Sequence, residues 1–113
     1  MPIDKKQILT LYIQSNTIGS IGFEWNSDKN ETNYKKHSIW FEEAQTIWTD
    51  ITAVELLDSE HSDTEDRYLR IGHSSSRRIL LVVFCEREKA SLIRIISARR
   101  ATPREIEAYE EGI

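Results

Sequence analysis

Four arginines pose the chemical question in this chain: Arg67, Arg94, Arg99 and Arg100. Planar guanidinium forks match phosphate oxygens bidentately and stay charged at any working pH. Arg67 leads one apolar run, Arg94 lies within another, and Arg99 and Arg100 extend that second run. On an antiparallel meander, side chains two residues apart share a face, and one register converges these groups on a single face or edge. Such a cluster suits phosphoryl chemistry. RNA cleavage begins with attack of a 2′-hydroxyl on the adjacent phosphate, and fixed cations stabilise the charge that gathers on the phosphoryl oxygens without a metal. A proton acceptor and donor add ~10²–10⁴-fold. His37, Glu86 and Tyr109 are candidates, and the sequence does not choose among them. The opposing reading is structural: Arg67 and Arg99 pair with Glu105 and Glu107 of a terminal helix.

Other chemistries find less support. His37, His61 and His73 lack paired metal-ligand spacing. His61 lies among Asp58, Glu60 and Asp63, which reads better as a solvated acidic loop than as a cation site. Four glycines do not build a phosphate loop. Ser74–Ser76 reads as a turn, not a nucleophile. The single cysteine, Cys85, sits inside ILLVVFC and reads as a buried small hydrophobe. No metal and no cofactor is expected.

The elements that must carry the arginines follow from pattern. Phe23 and Trp25 alternate with Glu24, which predicts a short strand. Asn26 or Ser27 caps a helix to about Lys36. Phe41, Ala44, Ile47 and Trp48 form one apolar stripe, predicting a second helix over 41–48. Strands are expected at 52–57, 67–74, 78–86 and 91–98, joined by short turns, with the acidic loop 58–66 between the first two. Thr102, Pro103 and Glu105 form a capping box with proline, the start of a last helix. The expectation is an α+β domain: an antiparallel four-stranded sheet meander, two N-terminal helices and a C-terminal helix. Residues 1–22 are read as an N-terminal extension and 23–113 as the domain proper.

Length, at 113 residues, fits one modest core. No apolar run approaches the ~20 residues that span a bilayer, so a cytoplasmic protein is expected. Net charge is −4, but residues 38–66 hold nine acidic residues and no lysine or arginine, whereas 67–104 hold ten basic residues against two acidic ones. A basic block of this strength is a footprint for phosphate, or else the two blocks pair across the fold.

The run FEWNSDKNETNYKKHSIWFEEAQTIWTD and the later pieces HSDTEDRYLRIG and LIRIISARRATPREIEAYEEG resemble the BrnT family of toxins, block by block and in order, over residues 23–112. The resemblance implies a RelE-like fold and a small bacterial ribonuclease of a type II toxin–antitoxin system. It implies inhibition of translation by RNA cleavage and neutralisation by a BrnA-type antitoxin. Operator DNA would be met only indirectly, through that antitoxin, and no membrane is involved. The family's arginine after the acidic pair falls on Arg67, its ISARRA arginines on Arg99 and Arg100, and its KH on Lys36 and His37. With these, Arg67, Arg99 and His37 are the expected catalytic residues, and Lys36, Arg94 and Arg100 the expected RNA-phosphate contacts. The chain departs from the family at Ser38, where glycine is common, and at Trp40, where a small polar cap is common. A binding module or co-repressor acting only with its antitoxin is the alternative.

Overall fold

The computed structural model describes residues 17–58, 60 and 65–112. The readings of residues 1–16, and of His61 and Asp63, lie outside these.

A hairpin of β1 (Thr17–Ile18) and β2 (Ile21–Glu24) leads into α1 (Ser27–His37). Helix α2 (Phe41–Ala44) continues as a 3₁₀ turn (Gln45–Thr49). Strands β3 (Val54–Leu57), β4 (Arg67–His73), β5 (Ile79–Arg87) and β6 (Leu92–Arg100) follow, then α3 (Pro103–Glu111). The described strands form one sheet in the order β1-β2-β6-β5-β4-β3. The four-stranded antiparallel meander is present as β3 to β6. It is incomplete as a description, because β2 adds to β6 in parallel, Phe23 beside Ile93, and makes the sheet mixed. A parallel neighbour needs a long crossover, here nearly the whole domain, so no short turn in the sequence announces it.

One face of the sheet is the core. Phe23, Leu80, Val82, Phe84, Ile93, Ile95 and Ala98 meet Ile39, Phe41, Ala44 and Ile47 from the helical segment. The predicted stripe of 41–48 is thus real, though its helix tightens to 3₁₀ after one turn. Trp48 closes this layer edge-on to Phe23 and Phe84, with the Arg70 guanidinium 5.1 Å from its ring centre.

The two departures from the family pattern, Ser38 and Trp40, both lie at helix ends. Trp40 offers α2 no side-chain cap, yet the Phe41 N–H donates to Asn30 Oδ1 at 2.7 Å, so α1 caps the next helix from outside. Ser38 adopts φ +59°, the left-handed region in which glycine carries no Cβ penalty. The other two ends behave as read: Asn26 caps α1, and Thr102 and Glu105 form the full capping box of α3.

Candidate functional site

The register decides which arginines meet. Arg94 and Arg99 are five residues apart, which in a regular strand places them on opposite faces. Strand β6 is not regular. Val83 pairs with Ser97 and Phe84 with Ile95, so Ile96 is an extra residue, a β-bulge. The bulge reverses the parity of everything after it. Arg94, beside Cys85, and Arg99, beside Leu81, therefore share the face opposite the core. Arg67 pairs with Cys85 from the other side and shares that face. Arg100, beside Leu80, is turned to the helical side instead.

The arginine face has two ends. At one, Arg67, Cys85 and Arg94 form a single rung across β4, β5 and β6, spanning roughly 10 Å between the outer two strands. Glu24, only 4% exposed, reaches Arg94 at 3.4 Å and Arg87 at 3.5 Å, and Glu65 reaches Arg87 at 3.3 Å. Burial, and then the Glu65 carboxylate, push the Cys85 thiol up to about 11, which keeps it protonated and inert. At the other end, roughly 13 Å along the strands, Glu105 of α3 clamps Arg99 with two hydrogen bonds of 2.7 and 2.8 Å. Arg99's ionisation is raised by that bond, and the Glu105 carboxyl is lowered by it.

The six expected site residues therefore divide. Arg67, Arg94 and Arg99 lie on one face. Lys36 and His37 lie in the last turn of α1, exposed on the helical side, and Arg100 turns toward that side as well. His37 is not brought to the arginine face, and Glu86, beside Ile93, also faces away from it. The helical side does carry a cleft of about 600 Å³, lined by Trp40, Glu42, Glu43, Ser75 and Ser76. Its carboxylates suit phosphate poorly. Glu43 is held below the ordinary carboxylate value although burial raises it, because Arg78 and Ser74 donate to it.

The two charge blocks do pair in part: Glu43 with Arg78, Glu55 with Arg70 and Glu65 with Arg87. The expected pairing of the terminal helix holds for Arg99 through Glu105.

Next to the arginine face lies an array that the sequence did not suggest. The Tyr109 hydroxyl of α3 donates to Asp50 Oδ2 at 2.6 Å and lies 3.0 Å from His73 Nδ1. Thr52 donates to Asp50 Oδ1 at 2.7 Å, and the His73 backbone N–H donates to Oδ2 at 2.8 Å. Burial raises the Asp50 carboxyl, but these three donors, with the Thr52 backbone N–H at 2.9 Å from Oδ1, outweigh it and hold it well below the usual range. Tyr109 is one of the three proton-transfer candidates that the sequence leaves open. Asp50 and His73 are 23 residues apart and Tyr109 lies 36 further on, so no local motif joins them.

A sequence profile of the family described as "ribonuclease toxin, BrnT, of type II toxin-antitoxin system" matches residues 25–105. Among solved structures, the ribonuclease toxin BrnT of Brucella abortus superposes with a TM-score of 0.52 at 24% identity, covering 69% of this chain and 92% of that one. That likeness carries the fold. No curated protein matches significantly. The profile spans well over half of the chain, and the chain belongs to the BrnT family of ribonuclease toxins.

Proposed function

We propose that this protein cleaves RNA without a metal, so inhibiting translation, and is held silent by a BrnA-type antitoxin through which alone it meets operator DNA. The observation that carries the reading is the bulge-dependent sharing of one sheet face by Arg67, Arg94 and Arg99. Three guanidiniums along one face suit the successive phosphates of a single strand better than a point ligand. Arg99 acts on the phosphate where charge develops: Glu105 takes one N–H from each terminal nitrogen and fixes the group, and the Nε–Nη2 edge is the one turned to the phosphate. Arg67 and Arg94 bind flanking phosphates, and Arg67 is held across Cys85 from Arg94. Lys36, His37 and Arg100 lie toward the other side of the sheet and serve binding, of RNA or of the antitoxin, not the cleavage step.

The test expresses the chain alone, its Arg67→Ala and Arg99→Ala forms, and the chain with an antitoxin encoded beside it. Growth and total RNA integrity are read, and purified protein is assayed on RNA with and without a chelator. Arrest with RNA loss, abolished in folded arginine variants and by the antitoxin, and chelator-insensitive cleavage in vitro, are expected. Folded wild type that neither arrests growth nor cuts RNA would establish the binding-module alternative. The salt bridges of Arg94 and Arg99 are the observation in favour of that second reading, since paired arginines also serve purely to hold a sheet and helix together.

A further inference from the structure

From the array of Asp50, Tyr109 and His73 beside Arg99, we infer that His73 Nε2 takes the proton from the attacking 2′-hydroxyl, with Tyr109 and Asp50 as positioning residues. The inference rests on the ribonuclease reading and deepens it by naming a base that neither the motifs nor the family resemblance supplies.

Proton counting sets the tautomer. Asp50, ionised, only accepts, and it accepts the single proton of the Tyr109 hydroxyl at 2.6 Å. Thr52 Oγ1, which donates to Asp50, also lies 2.8 Å from the Tyr109 oxygen, and the 3.0 Å contact of that oxygen with His73 Nδ1 is a hydrogen bond only when the proton sits on Nδ1. Neutral His73 consequently keeps its lone pair on Nε2. The residue is exposed, so this nitrogen is within reach of solute, while Nδ1 is anchored. When Nε2 gains a proton, the imidazolium lies at the end of a chain that terminates in the Asp50 carboxylate. The groups facing the ring are Tyr109 from α3 and Asp50 from the loop after the 3₁₀ turn. Arg70 of β4 stands behind the latter, donating to the Asp50 carbonyl at 3.4 Å.

Placement supports the role. His73 pairs with Ile79, and the Ala101 N–H donates to the Ile79 carbonyl, so His73 lies one pleat beyond the Arg99 level, on the arginine face. Helix α3 joins the two. Glu105, which clamps Arg99, and Tyr109, which anchors His73, are four residues apart on one helical face, roughly 6 Å along its axis. One helix thereby holds both a cation on β6 and a base on β4, bridging strands roughly 10 Å apart. In the step, the 2′-oxygen loses its proton to Nε2 and bonds to phosphorus. The bond from phosphorus to the 5′-oxygen breaks, and the imidazolium or water returns a proton to that oxygen. The products are a 2′,3′-cyclic phosphate and a 5′-hydroxyl.

His73→Asn is the decisive variant, because its amide still donates to Tyr109 while the base is gone. Purified wild type, His73→Asn and Tyr109→Phe are compared for cleavage of mixed-sequence RNA from pH 5 to 9, with end-group analysis and urea unfolding. The expected result is wild-type cleavage with an acidic limb, the rate falling as the base is protonated. His73→Asn should fold normally, lose about 10²-fold or more, and lack that limb. In Tyr109→Phe the limb should move. Nitrogen-15 NMR of the His73 ring should show the proton on Nδ1. A folded His73→Asn within about threefold of wild type that keeps the limb, or a ring protonated on Nε2 alone, would overturn the role while the ribonuclease reading stands. Folded wild type that cuts no RNA would overturn both.

Discussion

Asn33 finishes the sheet where β2 stops, and its replacement should be among the most damaging single changes outside the apolar core. Strand β2 ends at Glu24 opposite Arg94, so among the described residues no strand lines the outer edge of β6 beyond that level. At Ala98 the Asn33 carboxamide substitutes for one. Its Oδ1 accepts from the Ala98 N–H at 3.0 Å and its Nδ2 donates to the Ala98 carbonyl at 2.9 Å. A second donation, 2.8 Å to the Ile39 carbonyl, ties down the link between α1 and α2. The residue is 6% exposed, so water does not share these bonds readily. Asn33→Ala leaves three buried backbone groups unpaired at ~1–3 kcal/mol each. Water entering the vacated space recovers part, which leaves an expected loss of about 2–4 kcal/mol. With a urea slope typical of small domains, the unfolding midpoint should fall by roughly 1–3 M. Asn33→Asp adds a sharper test. It keeps the acceptor for Ala98 N–H but sets a carboxylate against two carbonyl oxygens, which raises its folded pKa above the unfolded ~3.9. The folded state then binds the extra proton, so stability falls as pH rises through that window and recovers in acid. An alanine variant costing less than about 0.5 kcal/mol, or an aspartate variant insensitive to pH, would refute the edge-completion argument.

Three further outcomes are expected from the same structure. Ser38→Gly should stabilise by up to about 1 kcal/mol in urea unfolding, because it removes a Cβ from a left-handed helix end. Thr102→Ala should cost ~1 kcal/mol by removing the acceptor of the Glu105 N–H, and the loss should appear as fraying of α3 in hydrogen exchange. Glu105, held below its ordinary 4.5 chiefly by Arg99, contributes stability present in full above that value and lost as pH falls through its folded pKa. Urea midpoints measured from pH 6 down to 3 should therefore show a shallower acid limb in Glu105→Gln than in wild type.

What the sequence conveyed well was whatever depends on local period and capping. The strands β3 to β6, helix α1 and the Thr102 box all follow from residues within a few positions of one another. The Phe41 stripe was visible for the same reason. What it could not convey was long-range pairing. Nothing near Phe23 signals that its strand lies parallel to one some seventy residues later, and nothing near Trp40 signals that Asn30 supplies the missing cap. The site shows the same division. Arginine types and their attachment to particular strands were legible, and so was the competing Glu105 partner. The separation of His37 from the arginine face was not, because a helix at the right end of a sheet can still lie on its wrong side.

The bulge at Ile96 shows why counting residues along an apparent strand fails where function begins. Regular alternation over LIRIISARR would turn Arg94 and Arg100 to one face and leave Arg99 on the other. One extra residue reverses this, placing Ala98 in the core and Arg99 with Arg94. The same residue, Ala98, is the one whose N–H and carbonyl Asn33 holds. Ala98 lies just past the bulge on the open edge of β6, so the side chain that satisfies its edge groups also supports the register that follows the bulge. Stability and site geometry are therefore tied at one point. The asparagine on α1 that closes the sheet edge thus holds the strand in the register that turns Arg99, not Arg100, toward Glu105 of α3.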